Sequence, residues 1–152
     1  MGRREIMNSE PVKENDTTNS EPVQYIYADS GTGCYCIHGT AVLCGNDVQL
    51  IFTGGTRSHI GAVSLAVYEP ERNSATVSTI CAYGHRDDQL SAPCAKNTAV
   101  ALKCTAAVSA GIHIDNASPE KIQRLCKNFE ECHRLLLLKI RNGRNVYGQT
   151  AL

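Results

Sequence analysis

The chain has 152 residues, a length typical of one domain, and its 15 basic side chains balance its 15 acidic ones. This balance leaves no basic excess to neutralise a phosphate backbone, which argues against a general nucleic-acid binder. The longest strongly apolar run, residues 135–138, is far shorter than the roughly 20 residues that cross a bilayer, and the polar N-terminus lacks the apolar core of a signal peptide. We therefore expect a cytoplasmic protein that binds neither nucleic acid nor membrane.

Composition divides the chain into three parts. Residues 1–23 are rich in Glu, Asn, Ser, Thr and Pro and contain few apolar side chains, which predicts a disordered N-terminal arm. Residues 24–142 carry the periodic apolar patterns and are expected to form a single folded domain. Residues 143–152 resemble the arm in composition and are predicted to be a flexible C-terminal tail.

Eight cysteines are present, none of them in a CxxC pair. This spacing makes a structural zinc knuckle a poor interpretation, because such sites usually take paired ligands. Several of the cysteines lie within apolar runs, where a reduced thiol behaves as a small hydrophobic side chain. We expect reduced thiols that behave as small hydrophobic side chains.

Strand patterns dominate the first half of the chain. Residues 34–44 and 48–52 are rich in β-favouring side chains and flank a Gly-Asn-Asp turn, which predicts a hairpin. Residues 60–68 and 75–82 are predicted to be a third and a fourth strand joined by a short turn. Short connections of this kind favour an antiparallel meander.

The next segment predicts a helix and then a strand. Residues 87–103 begin with two aspartates, which suit the positive end of a helix dipole. Pro93 is unfavourable beyond the first turn of a helix, so we expect this helix either to begin near Ser91 or to be kinked. Residues 106–110 are small and apolar and are predicted to form a buried strand.

The last helix has the clearest signals. Ser118 is a good N-cap, Pro119 suits the first helical position, and Asn142-Gly143 is a typical stop. Three- and four-residue steps connect the apolar stripe of this helix, which consists of Ile122, Leu125, Cys126, Phe129, His133, Leu136 and Ile140. Several strands followed by helices predict an α+β fold, in which two main helices pack on an antiparallel sheet.

Three histidines each lie beside a glycine, in a predicted loop at a strand end: His59, His85 and His113. Imidazole donates, accepts or ligates near neutral pH, and His113 and Asp115 project from the same side of an extended backbone. The three imidazoles match the ligand set of an open zinc-type site, and they would equally suit hydrogen bonding to a ligand. Each histidine taken alone is more simply a solvated loop residue.

Residues 54–58, Gly-Gly-Thr-Arg-Ser, are a candidate anion seat. Glycines allow backbone N–H groups to turn toward a phosphate, the hydroxyls add donors, and Arg57 offers a two-pronged contact. The segment is neither a P-loop nor a dinucleotide fingerprint, because no Gly-Lys-Ser/Thr follows and the next segment is a predicted strand. An ordinary glycine turn between strands explains the same residues equally well.

The sequence contains little that predicts catalysis. There is no Gly-x-Ser-x-Gly elbow and no His-Glu-x-x-His motif. Asp87 and Asp88 are a conceivable acid–base pair, although adjacent carboxylates at a helix start more often serve the helix dipole and the solvent.

Three of these motifs, at residues 54–63, 84–88 and 110–118, resemble the prenylated flavin chaperones, an LpdD-like family whose members were long regarded as components of gallate or hydroxyarene decarboxylases. The resemblance implies a fold similar to that of proteasome-assembly chaperones and a homodimer. It also implies a non-catalytic carrier that accepts prenylated FMN from a flavin prenyltransferase and passes it to a UbiD-type decarboxylase.

The same resemblance implies that the cargo lies near ten residues: Gly54, Gly55, Thr56, Arg57, Ser58, His59, His85, Arg86, His113 and Asp115. Two other interpretations stay open at this point. The chain would be either an accessory subunit that takes part directly in aromatic-acid decarboxylation or a metal-binding protein that uses the three histidines for a divalent ion.

Overall fold

The computed structural model describes residues 23–148, without the side chains of residues 145–148. Short 3₁₀ turns occupy Gly33–Tyr35 and Pro70–Arg72. The strands are β1 Gln24–Ser30, β2 Ile37–Cys44, β3 Asp47–Gly55, β4 Ala62–Glu69, β5 Ser74–Cys81 and β6 Thr105–His113, and the helices are α1 Asp88–Leu102 and α2 Pro119–Gly148. The predicted α+β class is confirmed: a mostly antiparallel sheet carries two helices.

The order of the strands departs from the predicted meander. The sheet runs β1-β2-β3-β6-β4-β5, so β6 lies between β3 and β4, parallel to the first and antiparallel to the second. The strands on either side form the expected hairpins, β2 with β3 and β4 with β5. Turn chemistry predicted these hairpins correctly. It does not determine which hairpin edges accept a strand that is remote in the chain.

The predicted pattern missed the first strand. Residues 24–30 form β1, which pairs antiparallel with β2 from Gln24↔Leu43 to Ser30↔Ile37. The long strand predicted at residues 34–44 is correspondingly shorter, because a 3₁₀ turn occupies its beginning. Tyr25 and Tyr27 alternate with less exposed side chains along β1, which is the half-buried pattern of an edge strand.

Helix α1 packs on β4, β5 and β6 through small side chains. Its buried face consists of Ser91, Cys94, Ala95, Thr98 and Ala99. The strands that face this helix also carry small side chains, and Ala66 and Ala106 are fully buried. The helix and the sheet therefore approach each other closely. The helix begins at Asp88 and contains Pro93, so a start near Ser91 is wrong.

Helix α2 covers β1 and β2 with its apolar stripe. Its buried residues are Leu125, Phe129, Cys132, Leu136 and Ile140, and the Phe129 ring lies 4.5 Å from that of Phe52. Burying each large apolar side chain contributes roughly 1.5–3 kcal/mol, so this stripe supplies much of the stability of the sheet's first half.

The predicted end of α2 at Asn142-Gly143 is wrong, since the helix continues to Gly148. A glycine in a helix costs only about 1 kcal/mol relative to alanine, which contacts with other parts of the fold can offset. Two such contacts are present: Arg144 Nη2 donates to the Asn46 carbonyl at 2.8 Å, and Arg141 Nη2 donates to the Ala101 carbonyl at 3.2 Å. Tertiary contacts therefore carry the helix past its stop signal.

The predicted N-terminal arm, residues 1–23, lies outside the described residues except for Val23, and so do the last four residues of the predicted tail. Within residues 23–148, none of the helices has the length and apolar content needed to cross a membrane.

All eight cysteines are free. Cys94, Cys104 and Cys132 are buried, and burial raises the pKa of the Cys132 thiol to about 12. A thiol with so high a pKa stays protonated and packs as an apolar group, which agrees with the expected role of these residues.

Candidate functional site

The three histidines meet at one end of the sheet. At this end β3, β5 and β6 stop and β4 starts, because β4 runs antiparallel to both of its neighbours. His59 lies just before β4, His85 follows β5, and His113 is the last residue of β6. The strand directions therefore bring together loops that lie far apart in the chain, since His59 and His113 are 54 positions apart.

Two of the histidines share a carboxylate. His59 Nε2 lies 3.1 Å from His85 Nδ1, and Asp87 Oδ2 lies 3.6 Å from the first of these atoms and 3.4 Å from the second. His59 Nδ1 is 3.4 Å from the Arg57 carbonyl, which favours the tautomer that donates there and leaves Nε2 free as an acceptor. His85 Nδ1 lies within hydrogen-bonding distance of this Nε2. We call His59, His85 and Asp87 the triad.

His113 lies beside the triad and has a different partner. Its ring stands edge-on to that of His59 with 6.1 Å between centroids, and its Nε2 is 2.8 Å from Asp115 Oδ1. The hydrogen bond from His113 holds the pKa of the Asp115 carboxyl below its usual value. The side-chain pairing of His113 and Asp115 agrees with their predicted common direction. The potential metal-ligand atoms that lie within 4.8 Å of one another, however, belong to His59, His85 and Asp87, and His113 is not among them.

Asp87 is the residue whose role sequence reasoning missed. The sequence suggested an exposed carboxylate serving a helix dipole, whereas the side chain is only 8% exposed and makes no capping bond to α1. Asp87 Oδ1 accepts the Ile112 backbone N–H at 2.9 Å, and Oδ2 faces the two imidazoles. The available signal was its spacing from His85, two residues away at the end of a strand.

A glycine makes room for this carboxylate. A Cβ atom at Gly61 would lie 1.9 Å from Asp87 Oδ2, a distance that no side chain tolerates. The Gly61 backbone meanwhile joins three strands, since its N–H donates to the Ala110 carbonyl and its carbonyl accepts from Ala82. Because Gly61 has no side chain, the Asp87 carboxylate can lie directly against the backbone at this end of the sheet.

The glycine pair at 54–55 is built differently from the predicted anion seat. Both residues belong to β3 and are not part of a loop. The Gly55 N–H donates to the Cys36 carbonyl, and the Thr56 N–H donates to the His113 carbonyl at 2.6 Å. Gly55 has a φ of +85°, and a Cβ there would lie 1.8 Å from the His113 oxygen. These two N–H groups are consumed by the sheet and are not free for a phosphate.

A cleft opens next to the triad. It has a volume of about 510 Å³ and lies between the start of α1, the end of β6 and the first turns of α2. Its apolar wall consists of Leu90, Ile112, Ile114, Ala117, Ile122, Leu125 and Cys126, and its polar end contains His85, Arg86, Asp87, Gln89 and His113. Burial raises the pKa of the Cys126 thiol, so this sulfur is a contact surface and a poor nucleophile.

The predicted site residues divide into two groups around this cleft. His85, Arg86 and His113 line it directly. The others lie beside or behind it: His59 contacts His85, Thr56 and Asp115 are joined through their side chains, and Arg57 and Ser58 are exposed. The apolar wall was not predicted as a site, because Ile122, Leu125 and Cys126 follow the same helical spacing as the core residues of α2.

Comparisons with known proteins agree with this architecture. The family model described as "Prenylated flavin chaperone LpdD-like domain" matches residues 31–141. A solved structure titled as a novel chaperone complex for yeast 20S proteasome assembly is similar in fold, with a TM-score of 0.52 and 14% identity over 75% of this chain and 94% of that one. This likeness shows the fold alone. No curated protein sequence matches the chain.

Proposed function

The chain belongs to the family of prenylated flavin chaperone LpdD-like domains, and from that premise we propose that it is a non-catalytic carrier of prenylated FMN. In this proposal it accepts the cofactor from a flavin prenyltransferase and delivers it to a UbiD-type decarboxylase. The single observation that carries the proposal is the cleft beside the triad, which combines a mostly apolar wall with a few polar and charged side chains.

The dimensions and lining of the cleft suit a flat, amphipathic molecule. Ligand pockets commonly measure about 300–1,000 Å³ and combine an apolar lining with a few polar groups. Here α2 and β6 supply an apolar surface for a ring system, and Arg86 brings a guanidinium to the polar end. Arginine pairs well with phosphate oxygens, so we place the phosphate of the cargo near Arg86 instead of the glycine pair.

Two features favour a carrier over an enzyme. The cleft is open at the surface, and its polar residues lie on loops at a sheet end, where ligand exchange is easier than in a closed cavity. Its cysteine is a protonated thiol, so no activated sulfur nucleophile faces the cargo. A carrier needs affinity that is moderate enough for release, and a partly exposed cleft meets that need.

The face of the sheet opposite the helices supports a homodimer. Two neighbouring cross-strand rows, one from Tyr25 through Leu65 to Ser78 and one from Tyr27 through Val63 to Ile80, contain no charged side chain. Val63, Leu65 and Ile80 in these rows are exposed. We call this surface the open face. Contiguous exposed apolar surface of this kind marks a contact site, and sheets pack face to face readily. A second copy of the chain would cover it.

Eight reduced thiols further favour the cytoplasm as the compartment.

The direct test is binding of the cargo. Purified full-length protein mixed anaerobically with reduced prenylated FMN should co-elute with it at one flavin per chain and shift its visible absorption. We expect Arg86→Gln to weaken binding by roughly tenfold or more, the cost of losing a charge-assisted hydrogen bond. Arg72→Gln, on the remote 3₁₀ turn, is the matched control and should bind normally. Absence of co-elution with the unaltered chain would refute the proposal.

A second experiment separates a carrier from a decarboxylase component. Decarboxylase that already holds mature prenylated FMN should turn over at the same rate with and without this chain. A requirement for the chain in that assay would favour the accessory-subunit interpretation and contradict the carrier.

A further inference from the structure

The triad has the geometry of a metal site. From its three side-chain atoms we infer that His59 Nε2, His85 Nδ1 and Asp87 Oδ2 bind a divalent transition-metal ion, with Zn²⁺ as the best fit. This inference does not depend on the cargo of the cleft. It replaces His113 with Asp87 in the ligand set that the sequence predicts.

The distances between the three atoms match a tetrahedral ion. Zinc bonds to imidazole nitrogen and carboxylate oxygen of about 2.0–2.1 Å place neighbouring ligand atoms about 3.3 Å apart. The observed separations are 3.1, 3.4 and 3.6 Å. An ion within bonding distance of all three atoms fits without movement of the backbone.

Two of the three proposed metal ligands each contact a backbone group through the atom that does not face the ion. His59 Nδ1 faces the Arg57 carbonyl at 3.4 Å, which fixes the ring with its Nε2 lone pair toward the triad. Asp87 Oδ1 accepts the Ile112 N–H at 2.9 Å, which leaves Oδ2 for the ion. Backbone contacts that set the tautomer and orientation of ligands are the usual outer-shell support of metal sites.

The charge of the site calls for a cation. The Asp87 side chain is 8% exposed, and within the described part of the chain no Lys or Arg nitrogen lies within 4 Å of it. Burial of an unpaired carboxylate is costly, so its neighbours must supply positive charge. Both neighbours are imidazoles, which neutralise it either by taking up a proton or by sharing a metal ion. Only the second option uses all three ligand atoms at once.

The nature of the ligands selects the ion. Two imidazoles and one carboxylate suit Zn²⁺, Co²⁺, Fe²⁺ or Mn²⁺ and are poor ligands for Mg²⁺ or Ca²⁺, which prefer oxygen. Three protein ligands leave one position of a tetrahedron open. His85 and Asp87 also line the cleft, so this open position faces it. If the carrier role holds, an oxygen atom of the cargo is the natural fourth ligand.

The inference is tested without flavin. Untagged full-length protein is stripped with a chelator and dialysed against Zn²⁺ or Co²⁺ alone, and bound metal per chain is measured by elemental analysis. We expect one ion per chain, and for Co²⁺ the intense visible bands of a tetrahedral ion. Asp87→Asn and His85→Gln should each weaken binding at least about 100-fold, the upper end of the effect of losing an outer-shell partner.

Two control variants exclude other binding sites. His38→Gln removes an exposed histidine that pairs with Asp29 on the open face, and Cys81→Ser removes a thiol beside the triad, 3.3 Å from the His85 carbonyl. Both variants should bind metal like the unaltered chain. Loss of binding in Cys81→Ser, or retention of binding in both triad variants, would overturn the inference. Since His85 is one-third exposed, His85→Gln keeps the test valid if Asp87→Asn does not fold.

Discussion

Acid should destabilise this fold through His133, which lies between the two helices. The ring is largely buried, its Nε2 lies 2.8 Å from Thr98 Oγ1, and it stands edge-on to Phe52 at 6.2 Å. Because the Thr98 hydroxyl proton is donated to the Cys94 carbonyl, its oxygen accepts from His133 Nε2–H. Burial lowers the pKa of His133 from 6.5 to about 4, so the folded chain holds a neutral imidazole.

The sign and size of the effect follow from proton linkage. Between pH 6.5 and about 4 the unfolded chain binds a proton at His133 that the folded chain does not, so stability falls as the pH falls through this window. Above pH 6.5 His133 is neutral in both the folded and the unfolded chain, so this loss of stability is absent there. From about pH 7 to about pH 4.5 the loss amounts to roughly 2.5 kcal/mol, at about 1.4 kcal/mol for each pH unit between the two pKa values.

The perturbation that isolates this contribution is His133→Gln, which keeps a side-chain donor but removes the titration. Urea unfolding of both proteins, followed by circular dichroism at about pH 7, 5.5 and 4.5, gives the free energy of unfolding at each pH. Any constant cost of the substitution cancels, and the difference between the two proteins should change by about 2.5 kcal/mol in favour of the variant. Protein concentration must be the same throughout, because formation of the proposed dimer would add to apparent stability.

The control is Gln123→Ala, which removes an exposed side chain of the same helix that has no titratable group, and it should show the same pH dependence of the free energy of unfolding as the unaltered chain. Parallel pH curves for the chain and His133→Gln would show that His133 is not held neutral between the helices. The reasoning from burial would then be wrong.

Three further substitutions probe the sheet end, the last helix and the open face. Gly61→Ala places a Cβ 1.9 Å from Asp87 Oδ2, so we expect a loss of roughly 1–3 kcal/mol in urea unfolding together with loss of Zn²⁺ binding, and unchanged binding would contradict the assigned geometry. Gly143→Ala should stabilise the chain by about 0.5–1 kcal/mol, because the residue is helical and a Cβ there meets nothing within 4 Å; destabilisation would instead indicate a helix stop. Leu65 is 48% exposed in the centre of the open face, so Leu65→Glu should convert dimers to monomers in analytical ultracentrifugation without unfolding the chain. The control Glu71→Gln changes an exposed residue outside the sheet and should leave the dimer intact. An unaltered chain that is already monomeric would refute the proposed dimer.

The sequence alone determined the features that depend on local periodicity. The apolar spacing of α2, the hairpin turns and the alternation along β4 can each be recognised because neighbouring residues impose them. The placement of histidines at strand ends was also visible, and the resemblance to the flavin chaperone family rested on those segments. Strand direction then accounts for their convergence at one end of the sheet.

Tertiary structure alone decided what depends on distant partners. The insertion of β6 beside β3 consumed the N–H of Thr56, which the sequence had suggested for phosphate. It also brought the Ile112 N–H to Asp87, and so turned an apparent helix-start carboxylate into a buried member of the triad. Each outcome depends on which hydrogen-bonding groups are already used, and pairings between residues 25 to 57 positions apart are not encoded in local pattern. The physical reason is that a buried polar group must be satisfied wherever the fold places a partner.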